Sequence, residues 1–497
     1  MARNAKARDK QKRIRKTRRK QRKADENKSQ MQVALKWLID EKIFAGISLH
    51  GNTSWQCSGL VCLTLLWVWS TTPQLTEAFV DARSKAVKLL VPITITTYQG
   101  LMKALVSATP KLMPVLRRRM HELMNRIGSK HMLVGRWLAI AVDGSKETAP
   151  RTVSNEAAFR SQNYGQGKNA KNRKRKRPPI KKSSLKKTVA AKADPPKTPK
   201  PVPLPPPQVW LTMMWHIGLG LPWCWKLGPS SDSERTHVKE MLETEHFLDD
   251  TLFVGDAGFV GYEFWRTIMD RDHHFLVRVG ANVNLLTQLC GVKLDAKDIV
   301  YCWPQTAMKE KKRPLRLRLV KCGIGKNENV WLLTSVLNPR ELSNKEMKRL
   351  YELRWGVELE FRALKQTFER RKLRCRNQAR VLVEIEWSIF GMAAVELMAL
   401  REQLRGGQGR PEKLSFAQSL TVIRHSLNNL TDCPGFMTTL RFGLRSSLID
   451  DYQRKKLKAG RYKPTRKRPP SCGEPNIELP TKEQRHRLRE IGLQNAA

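Results

Sequence analysis

From Trp137 to Gly280 apolar runs of strand length alternate with amphipathic ones, and their order restricts the fold more than any other feature. "WLAIAVDGS" (137–145) is a near-continuous apolar run that reads as a buried strand delivering Asp143 at its C-terminal end. "VWLTMMWHIGLGLPWCWKLG" (209–228) predicts two strands around a Gly-Leu-Gly-Leu-Pro turn. "SERTHVKEMLE" (233–243) predicts a helix with Ser233 as its cap. "TLFVGDAGF" (251–259) is a further apolar strand, with Asp256 at its end and glycines on either side. A helix over "GYEFWRTIMDR" (261–271) and a strand over "HHFLVRVG" (273–280) complete the series. Such interleaving predicts an α/β domain, and strand ends are where α/β domains assemble their sites.

Residues 281–340 carry short β-like runs, "RPLRLRLVKCG" (313–323) and "VWLLTSVLN" (330–338) among them, and predict a β-rich insertion. Ser343 and Glu346 then form a capping box that opens a long helix. That helix contains "YELRWGVELEFRALKQ" (351–366). At about 100° per residue Tyr351, Arg354, Glu358 and Lys365 fall within an arc of roughly 60°. Leu353, Val357, Phe361, Leu364 and Phe368 supply the neighbouring apolar stripe, so the polar quartet borders the core. Glu360 falls beyond that stripe and is the poorer carboxylate for a site, and Gly356 is a candidate kink. Taken alone, a mixed-charge stripe of this kind reads most simply as a solvated helix face.

The charge of the chain points to a polyanionic partner. Its 497 residues carry a formal net charge of +48, and a chain this basic ordinarily meets nucleic acid. Residues 1–30 hold net +11, residues 166–200 net +13 and residues 451–497 net +8, about two thirds of the total. The remainder lies on sequence with folding patterns, so the body is basic as well. The expected organisation is a basic disordered tail (1–30), a helical domain (31–130) for which DNA binding and generic packing are both open, and an α/β domain (131–400), which the resemblance described below makes the catalytic one. A Lys/Arg/Pro-rich insertion (151–208) and the β-rich insertion (281–340) interrupt the last of these. A helical region (401–455) and a basic tail (456–497) follow.

The nine cysteines have neither disulfide-framework nor zinc-ligand spacing, and reduced buried thiols are expected. The most apolar segment, "CSGLVCLTLLWVWS" (57–70), is too short for a bilayer, which needs about 20 apolar residues. No secretory signal pattern opens the chain. A soluble, cytoplasmic protein is the expectation.

Asp143, Asp256 and Glu358, if gathered, would repel one another, and a divalent cation is the usual resolution. Oxygen ligands without His or Cys favour Mg²⁺ or Mn²⁺ over zinc. Two such ions about 3.5–4 Å apart can activate a water or hydroxyl and stabilise the leaving oxygen of a phosphodiester. Arg354 and Lys365 are the cations placed to hold non-bridging phosphate oxygens. Glu147, Asp232, Asp270 and Asp272 lie near the same elements, but caps, turns and surface pairs account for them more simply.

The spacing Tyr-(2)-Arg-(3)-Glu-(6)-Lys resembles the YREK signature of bacterial insertion-sequence transposases with a DDE catalytic domain. "AVDGS", "VGDAGFVGYEFW" and "HHFLVRVG" resemble the aspartate regions of that group and their usual sequel, in the same order. The resemblance spans roughly residues 130–400. It implies a ribonuclease-H-like fold, a mixed sheet flanked by helices, with a β-rich insertion between the second aspartate and the glutamate. It also implies Asp143, Asp256 and Glu358 as the metal-holding triad, with Tyr351, Arg354 and Lys365 on phosphates. The implied activity is cut-and-paste transposition with Mg²⁺ or Mn²⁺, two ions in all. The implied partners are double-stranded DNA at transposon ends and target DNA, bound by at least a dimer in a bacterial, nucleoid-associated setting. A non-transposing nuclease and a silent DNA-binding descendant are the alternatives.

Overall fold

The computed structural model describes residues 2–50, 53–160, 206–290, 298–324, 328–405, 407, 409–431, 439–450 and 472–491. Most of the basic insertion and the start of the C-terminal tail therefore lie outside the described residues. Four helices come first: α1 (Ala2–Leu38), α2 (Cys57–Trp69), α3 (Leu75–Lys88) and α4 (Tyr98–Gly128). Then follow β1 (Ala139–Thr148), α5 (Val153–Phe159), β2 (Gln208–His216), β3 (Leu221–Pro229), α6 (Glu234–Thr244), β4 (Leu252–Gly255), α7 (Tyr262–Met269) and β5 (His274–Val279). The next segment forms β6 (Asn284–Leu286), β7 (Ile299–Cys302), α8 (Gln305–Lys309), β8 (Leu315–Ile324) and β9 (Glu328–Thr334). The chain continues through α9 (Asn344–Leu353), α10 (Trp355–Arg362), α11 (Gln378–Arg405), α12 (Phe416–Asn428) and α13 (Leu440–Arg445). It ends in β10 (Asn476–Glu478) and α14 (Lys482–Glu490).

All ten strands form one mixed sheet in the order β10-β6-β7-β8-β9-β5-β4-β1-β2-β3. β1, β2 and β3 are an antiparallel meander, whereas β1, β4 and β5 run parallel. The strand-rich segment does not stand apart: β9 pairs antiparallel with β5, from Leu276 opposite Thr334 to Val279 opposite Trp331, and carries the sheet outward. β10 closes the far edge by pairing with β6, and α14 has a capping box of Thr481 and Gln484. This part of the C-terminal tail is placed because its backbone joins the sheet ladder.

The register around β1 sets up the site and corrects one expectation. Asp143 lies mid-strand, because β2 pairs with β1 all the way to Thr148 opposite Gln208. On its other side β1 pairs with β4 only from Ala139 to Ala141. Beyond that point β1 has lost its parallel neighbour, so Asp143 faces the opening where β4 ends and Asp256 begins.

Residues 2–30 also differ from the disordered arm expected of them, since they lie in α1. Lys, Arg, Gln and Ala are good helix formers and no Gly or Pro interrupts them. The second half of the helix is anchored by buried Ala24, Asn27, Met31, Leu35 and Leu38, and Asn27 Oδ1 accepts the Leu440 N–H at 2.8 Å. Nor do the N-terminal helices hold a core of their own; the buried apolar residues form one cluster through α2, α4, α11 and the sheet. Trp69 Nε1 donates to the Gly391 carbonyl (2.9 Å), and Trp387 Nε1 donates to Thr109 Oγ1 (2.8 Å). The eight cysteines among the described residues are all free thiols. No helix among those residues is long and apolar enough to cross a membrane.

The helix expected after Ser343 is broken. Its capping box is present, but α9 stops at Leu353, α10 restarts at Trp355, and a π turn occupies Ala363–Thr367. Glu360 is not a surface residue: it is buried against Glu396 of α11, and burial raises both carboxyls well above the ordinary range. Their folded values lie above the unfolded ones, so the protonated pair stabilises below about pH 4.5 and that stability is lost as pH rises through the folded values. Urea unfolding between pH 5 and 8 should show declining stability, at most about 1.4 kcal/mol per pH unit per carboxyl. Glu360→Gln should flatten that decline; an unchanged slope would place the titrating groups elsewhere.

Candidate active site

The three acids singled out by the sequence share one electrostatic environment. Asp143 Oδ1 accepts the N–H of the next residue, Gly144, at 2.9 Å. Burial pushes the Asp143 carboxyl up to about 6, against the Gly144 N–H and Arg354, while the charges of Asp256 and Glu358 raise it further. Asp256 leaves the end of β4 in a tight turn, its Oδ1 accepting the Gly258 N–H at 2.7 Å and its carbonyl the Phe259 N–H at 3.2 Å. Gly255 permits that turn, since a Cβ there would lie 2.9 Å from Phe259 Cβ. Glu358 comes from α10, and its Oε1 accepts from Arg354 Nη2 at 2.9 Å.

Arg354 occupies the break between α9 and α10 and is only 7% exposed. It lies beside Tyr351, Glu358 and Asp143, with its guanidinium carbon 5.4 Å from the Tyr351 ring centre. Its Nε and Nη1 have no hydrogen-bond partner. Unpartnered buried guanidinium N–H groups are costly, which marks a place for an anionic ligand. The Tyr351 hydroxyl is buried and bonded to Arg278 of β5.

Lys365 stands apart from this group. Its Nζ is 3.5 Å from Glu147 Oε1, and Glu147 is fully buried on β1 instead of forming the surface pair expected of it. Burial pushes Glu147 up to about 7, offset by Lys365 and Ser145. The π turn widens the helix at Lys365, so the 100° spacing that set it beside Arg354 no longer applies. Of the other acids set aside in the sequence, Asp232 bonds His237 at 3.0 Å and Asp270 pairs with Arg266 at 3.3 Å.

Glu234 was read only as part of a capped helix start, yet it approaches the site. Burial, followed by the charges of Asp143 and Asp256, pushes it up to about 7. No spacing rule could have found it, because α6 reaches Asp143 only through the β-meander.

In chemistry the donor set fits a hard divalent cation: carboxylates only, with Asp143 raised first by burial and then by the charges of Asp256 and Glu358. As they stand, Glu358 is engaged by Arg354, and among the described residues no three acidic, His or Cys side chains close on a single point. A cation at this opening would be held by Asp143, Asp256 and Glu358 once Glu358 leaves Arg354.

In this mixed α/β sheet Asp143 and Asp256 lie where two parallel strands part, beside a buried arginine. Residues 213–391 match the family model described as "Transposase DDE domain". That match covers about a third of the chain, which resembles this domain there. The match takes in Asp256, Tyr351, Arg354, Glu358 and Lys365 but starts beyond Asp143, which β1–β2 pairing brings alongside. Over 120 residues the chain is 32% identical to the transposase InsG for insertion sequence element IS4 of Escherichia coli (strain K12), covering 23% of this chain and 27% of that protein. The aligned part thus spans about a quarter of that relative's length. A solved piggyBac transposase synaptic complex with hairpin DNA superposes with a TM-score of 0.38 at 9% identity, covering 85% of this chain and 86% of that one.

Proposed function

We propose that this chain is a DNA transposase that hydrolyses the phosphodiester at an insertion-sequence end and then joins the freed 3′-hydroxyl to target DNA. The observation that carries the reading is Arg354, buried beside Asp143 and Glu358 with two N–H groups unpartnered. Such a guanidinium among carboxylates suits a ligand that is both anionic and cation-bound, as a backbone phosphate is. The order β3-β2-β1-β4-β5 with a parallel β1-β4-β5 core supports a ribonuclease-H-like fold extended by the strand-rich insertion.

In this proposal Mg²⁺ or Mn²⁺, two ions in all, held by Asp143, Asp256 and Glu358 would supply activation of the attacking oxygen and stabilisation of the leaving oxygen. Arg354 orients the scissile phosphate through its free N–H groups, and Tyr351 backs that guanidinium from the adjoining helix. Lys365 holds Glu147 until DNA arrives, then turns to a neighbouring phosphate. The basic arms add salt-sensitive affinity for DNA. Engaging two ends requires at least a dimer on DNA, in the bacterial cytoplasm.

The test is a strand-transfer assay on duplexes bearing the sequences that flank the gene. Metal-dependent joined products are expected. Cleavage without joining would instead mark a nuclease, and binding without cleavage a silent descendant. Arg354→Lys should lower the single-turnover rate by about 10²-fold, because a point charge cannot reproduce the planar fork. An unchanged rate would remove Arg354 from the phosphate.

A further inference from the structure

Glu234 has no part in the reaction as laid out above, yet its position is hard to explain without one. A Cβ on Gly144 would overlap its Oε1 and lie 2.6 Å from its Cγ, and a Cβ on Gly258 would lie 3.5 Å from its Oε2. Gly144 follows Asp143 by one residue, and Gly258 follows Asp256 by two. One carboxylate therefore rests across the backbone beside both aspartates, in space that exists at Gly144 only because that residue has no side chain.

An acid in the first turn of a helix ordinarily serves the helix dipole. That role leaves the carboxylate free to face solvent and needs no glycine opposite. The cap itself is supplied by Ser233, whose Oγ accepts the Thr236 N–H at 3.1 Å. Instead the first turn of α6 is pinned to the sheet. His237 is 1% exposed; its Nδ1 lies 2.9 Å from Thr212 Oγ1 and its Nε2 lies 3.0 Å from Asp232 Oδ2. Thr212 is the β2 residue paired with Gly144. The same contact that locks α6 to β2 thus fixes Glu234 at the register of Asp143.

A second observation points to a ligand at this place: the buried, unpartnered N–H groups of Arg354 beside Asp143. Arg354 also engages Glu358, whereas Glu234 has no hydrogen-bond or ion-pair partner among the described residues. Of the carboxylates near the two aspartates, Glu234 is the one not already committed.

Resting on the transposase reading, we propose that Glu234 is a fourth carboxylate of the site, which closes with Asp143 and Asp256 on the divalent cation when the ion binds, since the three do not meet at one point without it. Glu358 then serves the cation only when DNA draws Arg354 away.

The experiment is a Mn²⁺ titration of the full chain without DNA, following the electron paramagnetic resonance signal of free Mn²⁺. Glu234→Gln should weaken binding at least about tenfold, as removal of a supporting ligand does. Asp143→Asn and Asp256→Asn should do the same, and Glu358→Gln should weaken it much less. Thermal unfolding in EDTA checks folding, and Glu234→Ala, which retains neither oxygen, is read in the same way should Glu234→Gln unfold early. Wild-type affinity in both Glu234 variants, with binding lost in the aspartate variants, would exclude Glu234 and leave the transposase site intact. Wild-type affinity in the aspartate variants too, or no Mn²⁺ binding by the wild-type chain, would overturn the Glu234 proposal, while the transposase reading is decided separately by the strand-transfer assay on DNA.

Discussion

Asp256→Asn is expected to cut end cleavage and strand transfer by on the order of 10³-fold or more while leaving DNA binding within about twofold. The amide is nearly isosteric, and its Oδ1 can still accept the Gly258 N–H that holds the turn after β4. What disappears is the negative charge, by which Asp256 would hold a cation and which raises the Asp143 carboxyl from across the opening. The charges of Asp256 and Glu358 acting on the half-buried Asp143 are the reason a divalent cation should bind there. Single-turnover cleavage of a labelled end duplex, with a gel-shift control, measures the two effects separately. Normal cutting by the variant would remove Asp256 from the chemistry.

Gly356→Ala is expected to cost about 1–3 kcal/mol of stability, a large effect for one methyl group. The new Cβ would lie 2.8 Å from Trp215 Cζ2 and closer still to two further ring carbons. Trp215 is 9% exposed on β2 and has little room to withdraw. Gly356 therefore serves as the seat of α10 on the sheet, and the break in the helix falls two residues earlier, at Arg354. Because Glu358 is two residues further on, the displacement should also reduce cleavage. Chemical unfolding checks the stability term; Trp215→Ala in the Gly356→Ala background should recover part of it relative to the sum of the single changes. Strict additivity would mean that the two residues do not touch.

Both expectations start from residues that local pattern could identify. The apolar runs at 137–145 and 251–259 announced their strands, and the capping box at Ser343 and Glu346 is present atom for atom. Cap and strand signals are legible because they depend on neighbours one to four residues away. The end of β1 was not legible: whether an apolar run continues through "GSKET" depends on β2, which lies across an insertion of about sixty residues. The single long helix expected after the capping box was likewise not legible: it breaks at Arg354 and ends in a π turn, and its segments meet Trp215, Glu147 and Glu396, which lie far away in the chain. Glu147 was taken for a surface acid because nothing nearby in sequence tells that its strand is covered by a lysine from α10's end.

By itself the sequence determined the α/β alternation, the basic character, and the residue types brought to the site: two aspartates, a glutamate and an arginine. Tertiary structure alone decided their commitments. It set Arg354 on Glu358 and Lys365 on Glu147, and brought Glu234 over Gly144. Periodicity along a chain specifies which face a side chain takes, but the partner on that face comes from strand register and helix packing across long separations. At "YELRWGVELEFRALKQ" that difference separates four polar residues on one stripe from an arginine left with two free N–H groups beside a carboxylate site.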